Sequence, residues 1–125
     1  MSVPGALAAL GDTPFPATSV AEGLRQELAP AAHGLLRLRL LHPLVALAPV
    51  PFLMLSAVSV LQTKPNRPAV LAGFAVLGLV LGQSIAGVAN VLLLAPVWMQ
   101  LAHLLLADLL WLALVILVVQ VTRIE

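Results

Sequence analysis

The chain has 125 residues, of which 62% are hydrophobic and only 9% are charged, and its formal net charge is +1. Soluble domains carry about 25% charged residues, so this composition indicates an integral membrane protein whose charge offers no field to attract nucleic acid. No cysteine is present, which excludes disulfides and thiolate metal sites. Because one membrane-crossing helix needs about 20 residues, the length favours a single all-α bundle of three transmembrane helices.

The N-terminal segment, residues 1–34, is predicted to lie outside the membrane. Its first apolar run is too short to span and lacks the basic residues of a signal peptide, so we expect no cleaved leader. The stretch SVAEGLRQEL can form an amphipathic helix with Ser19 as N-cap and Glu22 completing a capping box. A plain surface connector is the favoured alternative, given the usual lengths of connecting segments.

The three spans are predicted within residues 35–125, and the first of them runs from about Leu35 to Leu61. Three prolines interrupt it: Pro43, Pro49 and Pro51. Because each proline removes a hydrogen bond within the helix, we expect a kinked helix.

The second span is predicted from about Ala69 to Ala89. Within it Gly78, Gly82 and Ala86 recur every four residues. Such a stripe of small side chains allows neighbouring helices to approach closely in a membrane. We therefore expect this stripe to be a helix-packing surface.

The third span is predicted from about Pro96 to Val121. Trp98, near its start, is expected to anchor at the membrane interface, and Trp111, near its middle, is expected to pack inside the bundle. Since three spans joined by short turns alternate in direction, the first and third are predicted to be parallel.

Two histidines lie inside these apolar stretches, His42 in LRLRLLHPLVAL and His103 in MQLAHLLLADLLW. An ionisable side chain within a membrane segment is costly and is usually functional. Both lie near the start of their spans, so parallel spans would bring the two imidazoles to similar depth. Two facing helices can hold a haem iron between such a pair. The alternative is that each histidine is a packed residue that donates to a carbonyl group.

The other polar residues near the spans are expected to have roles other than binding iron. Arg37 and Arg39 lie just outward of the first histidine, where they could contact the anionic propionates of a haem. His33 precedes the span, where it is easily hydrated, and it is favoured as a non-ligand. Gln83 and Asn90 are expected to serve turns and interhelical hydrogen bonds.

The distribution of positive charge predicts the orientation in the membrane. Lys64, Arg67 and Arg123 flank the spans closely in a short turn and a tail. Arg25, Arg37 and Arg39 mark the other side, so the numbers of positive residues are equal. Positive residues close to the spans mark the cytoplasmic side, and the tightly flanking group is therefore predicted to be cytoplasmic. The two histidines then lie toward the outer face of the cell membrane.

Three runs of the sequence are GALAALGDTPFP, LLRLRLLHPLVA and GVANVLLLAPVWMQLAHLLLADLLW. Together they resemble the C-terminal half of haem A synthase. Members of this family oxidise a methyl group of haem O to the formyl group of haem A. The likeness covers nearly the whole chain and is most specific in RLRLLHP and NVLLLAPVWMQLAHLLLADLLW. Members of that family consist of two similar four-helix bundles. The resemblance implies that the three spans form part of one such bundle, with His42 and His103 as axial ligands of a resident haem b.

The resemblance also implies that this chain lacks features of the complete enzyme. This chain has no counterpart of three features of that family. They are the first bundle's histidine pair, the acidic residue implicated in the reaction, and the outer-loop cysteine pair of many members. We therefore expect part of a haem A synthase-type oxidoreductase, either a fragment or a subunit, completed by a companion chain or by another copy in the lipid of the membrane. Two alternatives stay open: a bis-histidine electron-transfer subunit with a b-type haem, and a haem-free structural or assembly protein.

Overall fold

The computed structural model of the chain describes Leu10, residues 14–63 and residues 65–122. The helices of this described part, in chain order, are α1 (Val20–Leu28), α2 (Gly34–Leu47), α3 (Val50–Gln62), α4 (Arg67–Leu92) and α5 (Val97–Thr122). The predicted absence of a cleaved leader concerns the N-terminal apolar run, which lies outside the described residues apart from Leu10.

Three stretches of helix are long and apolar enough to cross a membrane: Gly34–Gln62, Arg67–Leu92 and Val97–Thr122. Large apolar side chains are exposed along the outer surface of all three stretches. Lipid tails are as apolar as leucine, so such a surface suits a bilayer. The predicted all-α fold with three spans is confirmed.

The first span divides into two helices, α2 and α3, at residues 48–49. Pro49 precedes α3, and Pro51 lies in its first turn, where a missing N–H costs no helical hydrogen bond. Pro43 lies inside α2. The predicted interruption of this span is therefore confirmed, and it falls where two prolines stand close together.

The stretch predicted as either a capped helix or a surface connector forms helix α1 with Ser19 as N-cap, so the favoured prediction of a plain connector is wrong. The Ser19 side chain accepts a hydrogen bond from the backbone N–H of Glu22 at 3.2 Å. The Glu22 carboxylate in turn accepts from the hydroxyl and the backbone N–H of Thr18, and these two bonds hold the pKa of Glu22 below its ordinary value. The predicted capping box would have Glu22 accept from the backbone N–H of Ser19, whereas the carboxylate binds the preceding residue, Thr18. Helix α1 packs against α2.

The buried core lies between α3, α4 and α5. Val76 and Val80 of α4 are its largest fully buried side chains, and they pack with Ala57 of α3 and with Leu110 and Leu117 of α5. All of these side chains are apolar. Helix α4 is therefore the central helix, since it packs against both α3 and α5.

The close approaches of α4 occur at other glycines than those predicted. A Cβ atom added at Gly78 or Gly82 would meet nothing within 4 Å, whereas one added at Gly73 would lie 3.0 Å from the Leu61 side chain of α3. The predicted packing stripe is therefore wrong, because α4 turns a different face toward its neighbours. Trp111, predicted to pack inside the bundle, is 66% exposed, so that prediction is also wrong.

We expect Gly73→Ala to weaken the packing of α3 on α4. The added methyl group would displace the Leu61 side chain, and overpacking of this kind costs about 1–3 kcal/mol. Unfolding in mixed detergent and denaturant should show the loss. Gly78→Ala is the matched control on the same helix, and it should be more stable than the wild type by about 0.5–1 kcal/mol, because alanine favours a helix over glycine and its methyl group meets nothing within 4 Å. Equal stability of the two variants would contradict the described α3–α4 contact.

Candidate functional site

The first candidate ligand, His42, lies just past the middle of α2 and is partly buried. Pro43 follows it within the same helix. Because proline lacks an N–H, the carbonyl oxygen of Arg39 loses its usual helical donor. The backbone that carries this histidine therefore lies at a locally weakened turn of α2.

The second candidate ligand, His103, lies in the first half of α5 and is partly buried. His42 belongs to the first span and His103 to the third. Their proximity and their role as iron ligands stay predictions.

The ring of His103 contacts α4 directly. Its Nε2 lies 3.2 Å from the side-chain nitrogen of Gln83, which confirms the predicted interhelical role of that glutamine. Its Nδ1 is buried and has no hydrogen-bond partner among the described residues. Gly87, one helical turn after the glutamine, faces the same ring, because a Cβ atom added there would lie 3.2 Å from Cε1.

Gly87 is a site residue that the sequence analysis missed. Its absent side chain makes room for the imidazole, so the ring can lie against the α4 backbone. The spacing of Gln83 and Gly87 places both on one face of α4. This spacing was the available signal, but it identifies the face and not what the face contacts.

Further amide side chains lie near the turn that joins α4 to α5. The side-chain oxygens of Gln83 and Asn90 are buried and have no hydrogen-bond partner among the described residues. Gln100, in the first turn of α5, donates to the carbonyl oxygen of Ala95 at 2.5 Å. This carbonyl belongs to the turn between the helices, in which Leu94 and Ala95 have positive φ angles of 58° and 52°.

The two arginines near the first histidine have different surroundings. Arg39 donates from Nε to the Glu27 carboxylate of α1 at 2.5 Å and from Nη1 to the Phe15 carbonyl oxygen at 3.3 Å. Arg37 is exposed and donates to the carbonyl oxygen of Pro30 at 3.2 Å. Arg39 thus connects α2 to the N-terminal segment, and the propionate contacts of both arginines stay predictions.

His33 caps the start of α2. It precedes α2, and its Nδ1 accepts a hydrogen bond from the backbone N–H of Leu35 at 3.3 Å. Its ring also lies 5.5 Å from that of Phe15, measured between centroids. This capping role accounts for the residue without any ligand.

Within the described residues, no group of three or more His, Cys, Asp or Glu side chains could hold a metal ion. A haem iron already has four porphyrin nitrogens and needs only one protein ligand on each side. The donor set offered by His42 and His103 fits that requirement, and it fits a free metal ion poorly.

Residues 5–115 match the family COX15-CtaA, described as cytochrome oxidase assembly protein. The chain belongs to this family. The resemblance in the sequence is thereby confirmed over most of the chain, including both histidines.

Two curated relatives, from two strains of Thermus thermophilus, bear the name protoheme IX farnesyltransferase. Each is 40% identical to this COX15-CtaA member over 117 residues, which are 94% of this chain and 19% of the relative. The chain therefore spans about a fifth of the length of the curated relatives that it matches. No solved structure matches it.

We expect Glu27→Gln and Arg39→Gln each to loosen α1 from α2, because both remove the same ion pair, whose side chains are only 12% and 15% exposed. Since both substitutions break one interaction, a double-mutant cycle should give a coupling energy of roughly 1 kcal/mol. Hydrogen exchange of the α1 amides would measure it. Arg37→Gln, which removes an exposed arginine, is the control and should leave α1 protected. Additive effects of the two substitutions would contradict the ion pair.

Proposed function

We propose that this chain holds a b-type haem between its first and third spans, with His42 and His103 as axial ligands, as part of a haem A synthase-type oxidoreductase. The observation that carries the proposal is the presence of one partly buried histidine in each of two apolar spans, His42 in the first and His103 in the third. Membership of the cytochrome oxidase assembly family supports the same interpretation. The haem supplies one-electron redox chemistry when it is bound.

The surroundings of His103 support the fit of a porphyrin. Gly87 leaves space for the imidazole, and the buried Nδ1 is a polar atom without a hydrogen-bond partner among the described residues. Apolar side chains beside the two histidines, including Val45, Leu101 and Leu104, are exposed. They offer apolar surface that a porphyrin would cover and that would exclude water from the iron.

Each residue type has a limited chemical role in this proposal. The imidazoles bind and orient the iron, and Arg37 and Arg39 are proposed to contact the haem propionates, with Arg39 shared with Glu27. The polar neighbours Gln83 and Gln100 are neutral amides, which have no ionisable group. The chain is therefore suited to holding a haem and handling electrons, and we propose that oxidation of haem O needs groups from elsewhere.

The relatives suggest what surrounds the site. The Thermus proteins are named for farnesyl transfer to protoheme IX, and the segment that they share with this chain is 19% of their length. We infer that the chain works beside other haem-modifying machinery, with a companion chain or a second copy of this chain supplying further helices. We place it in the cytoplasmic membrane, with the two histidines toward the outer face.

A second candidate function is electron transfer alone. It is favoured by the amide side chains around His103, because none of them can act as a general acid or base. An electron-transfer subunit would show the spectrum of a bis-histidine haem and would not convert haem O, even when a companion chain is present. A haem A synthase-type protein would convert haem O to haem A once the companion is present.

We expect His42→Ala and His103→Ala each to abolish the bis-histidine spectrum, because either substitution removes one axial ligand. Reduced-minus-oxidised difference spectra of the purified protein would measure this. His33→Ala is the matched control, since His33 caps α2, and it should keep the wild-type spectrum. If both alanine variants keep that spectrum, the ligand assignment is wrong. A colourless wild-type protein that takes up no added haem would instead favour the haem-free structural role.

A further inference from the structure

We propose that α1 lies in the surface layer of the membrane, with Val20, Leu24 and Leu28 inserted where the lipid headgroups meet the acyl chains. The proposal does not depend on haem. It gives the N-terminal helix a lipid-binding face, which holds the helix beside the start of the first span.

The apolar side chains of α1 point away from α2. Val20, Leu24 and Leu28 recur at four-residue spacing, so they share one face of the helix, and they are 42%, 46% and 63% exposed. On a soluble protein, the apolar face of a surface helix normally packs on the core. Here no part of the described chain covers that face, so its cover must come from elsewhere.

The polar face of α1 is the one that packs on α2. Glu27 on this face pairs with Arg39 of α2. A Cβ atom added at Gly23 would lie 3.5 Å from Nη2 of the same arginine. Gly23 is buried and Gln26 is half-buried. These contacts hold α1 with its apolar face turned outward.

The position of α1 along the first span favours lipid as the cover. Arg39 is the sixth residue of the apolar stretch Gly34–Gln62, and at 1.5 Å of rise per residue the ion pair lies about 8 Å along this stretch. Beyond it, Leu41 and Leu44 are exposed on the same helix, as suits a lipid-facing surface. An amphipathic helix at a membrane buries its apolar face at a comparable depth, about 5–10 Å into the boundary between headgroups and acyl chains.

The charges around α1 also suit a lipid surface. Arg25 on α1 and Arg37 on α2 are exposed, and such cations bind the phosphate groups of lipids. Of the two carboxylates on α1, Glu27 pairs with Arg39, and the other, Glu22, binds Thr18. Exposed positive charge therefore lies beside the apolar face.

A protein partner is the competing cover, and the size of the face speaks against it. Helix α1 has nine residues, and its apolar face consists of three partly exposed side chains. A stable protein interface buries about 800 Å² on each partner, of which three such side chains supply only a small part. Lipid needs no minimum area of this kind, because the spans already hold the protein in the membrane.

The test uses nitroxide spin labels on the full chain, which has no cysteine of its own, in vesicles of equal parts phosphatidylcholine and phosphatidylglycerol. Labels are attached to Leu24→Cys, to Arg25→Cys as the matched control beside the apolar face, and to Leu44→Cys as a reference within the span. Collisions with oxygen, which concentrates in lipid, are compared with collisions with a water-soluble nickel chelate.

We expect the ratio of oxygen to nickel collisions at position 24 to exceed that at position 25 severalfold and to approach that at position 44. Equal ratios at positions 24 and 25 would overturn the lipid-bound face. Dipolar broadening between labels at position 24 of neighbouring copies would also overturn it, because a second copy of the chain would then be the cover.

A second measurement follows the stability of α1 itself. Isolated helices of this length are marginal in water, so loss of lipid contacts should be visible as faster amide hydrogen exchange. Burial of one leucine side chain corresponds to about a tenfold change in an equilibrium constant. In the same vesicles, Leu24→Ser should therefore speed exchange in α1 about tenfold. Arg25→Ser loses a similar helix propensity without apolar burial, and it should speed exchange much less. Equal acceleration in the two variants would contradict the proposal.

Discussion

Polar groups within an apolar, membrane-crossing bundle must find their partners inside the protein, and this constraint organises the molecule. Lipid tails offer no hydrogen bonds, so an unpaired polar group there is costly. The hydroxyls of Ser56 and Ser84 donate to carbonyl oxygens of their own helices. Gln83 and His103 cannot be satisfied in that way, and they meet across α4 and α5. The polar chemistry of the bundle is therefore concentrated where these two helices meet.

The same constraint explains how the first span relates to the rest. Its prolines leave backbone carbonyl groups without helical donors, and the span divides between α2 and α3. A charged residue on α2 also needs a partner, and Arg39 finds one in Glu27 of α1. The N-terminal helix is thus packed on the bundle through an ion pair beside the candidate site. Its position follows from the charge on α2 as much as from its own amphipathic pattern.

Packing among the spans depends on small residues at particular positions. Because no hydrophobic force favours helix association in lipid, helices associate where their backbones can approach. Gly73 admits a leucine of α3, and Gly87 admits the imidazole of α5. Many of the larger apolar side chains point outward, and Trp111 is among the most exposed. These two glycines therefore lie at close contacts between helices, and one of the contacts is with a candidate ligand.

The sequence by itself determined the all-α class, the three spans and the break in the first span, and it offered the Ser19 cap only beside a favoured surface connector. These depend on composition, helix length, proline chemistry and hydrogen bonds between residues close in the chain, all of which are local. It also identified His42 and His103 as candidates from the cost of placing an imidazole among leucines. Only the tertiary structure decided that Gly87 and not Gly78 lies at a close contact. The rotation of each helix about its axis selects such contacts, and that rotation results from the packing of all the helices together.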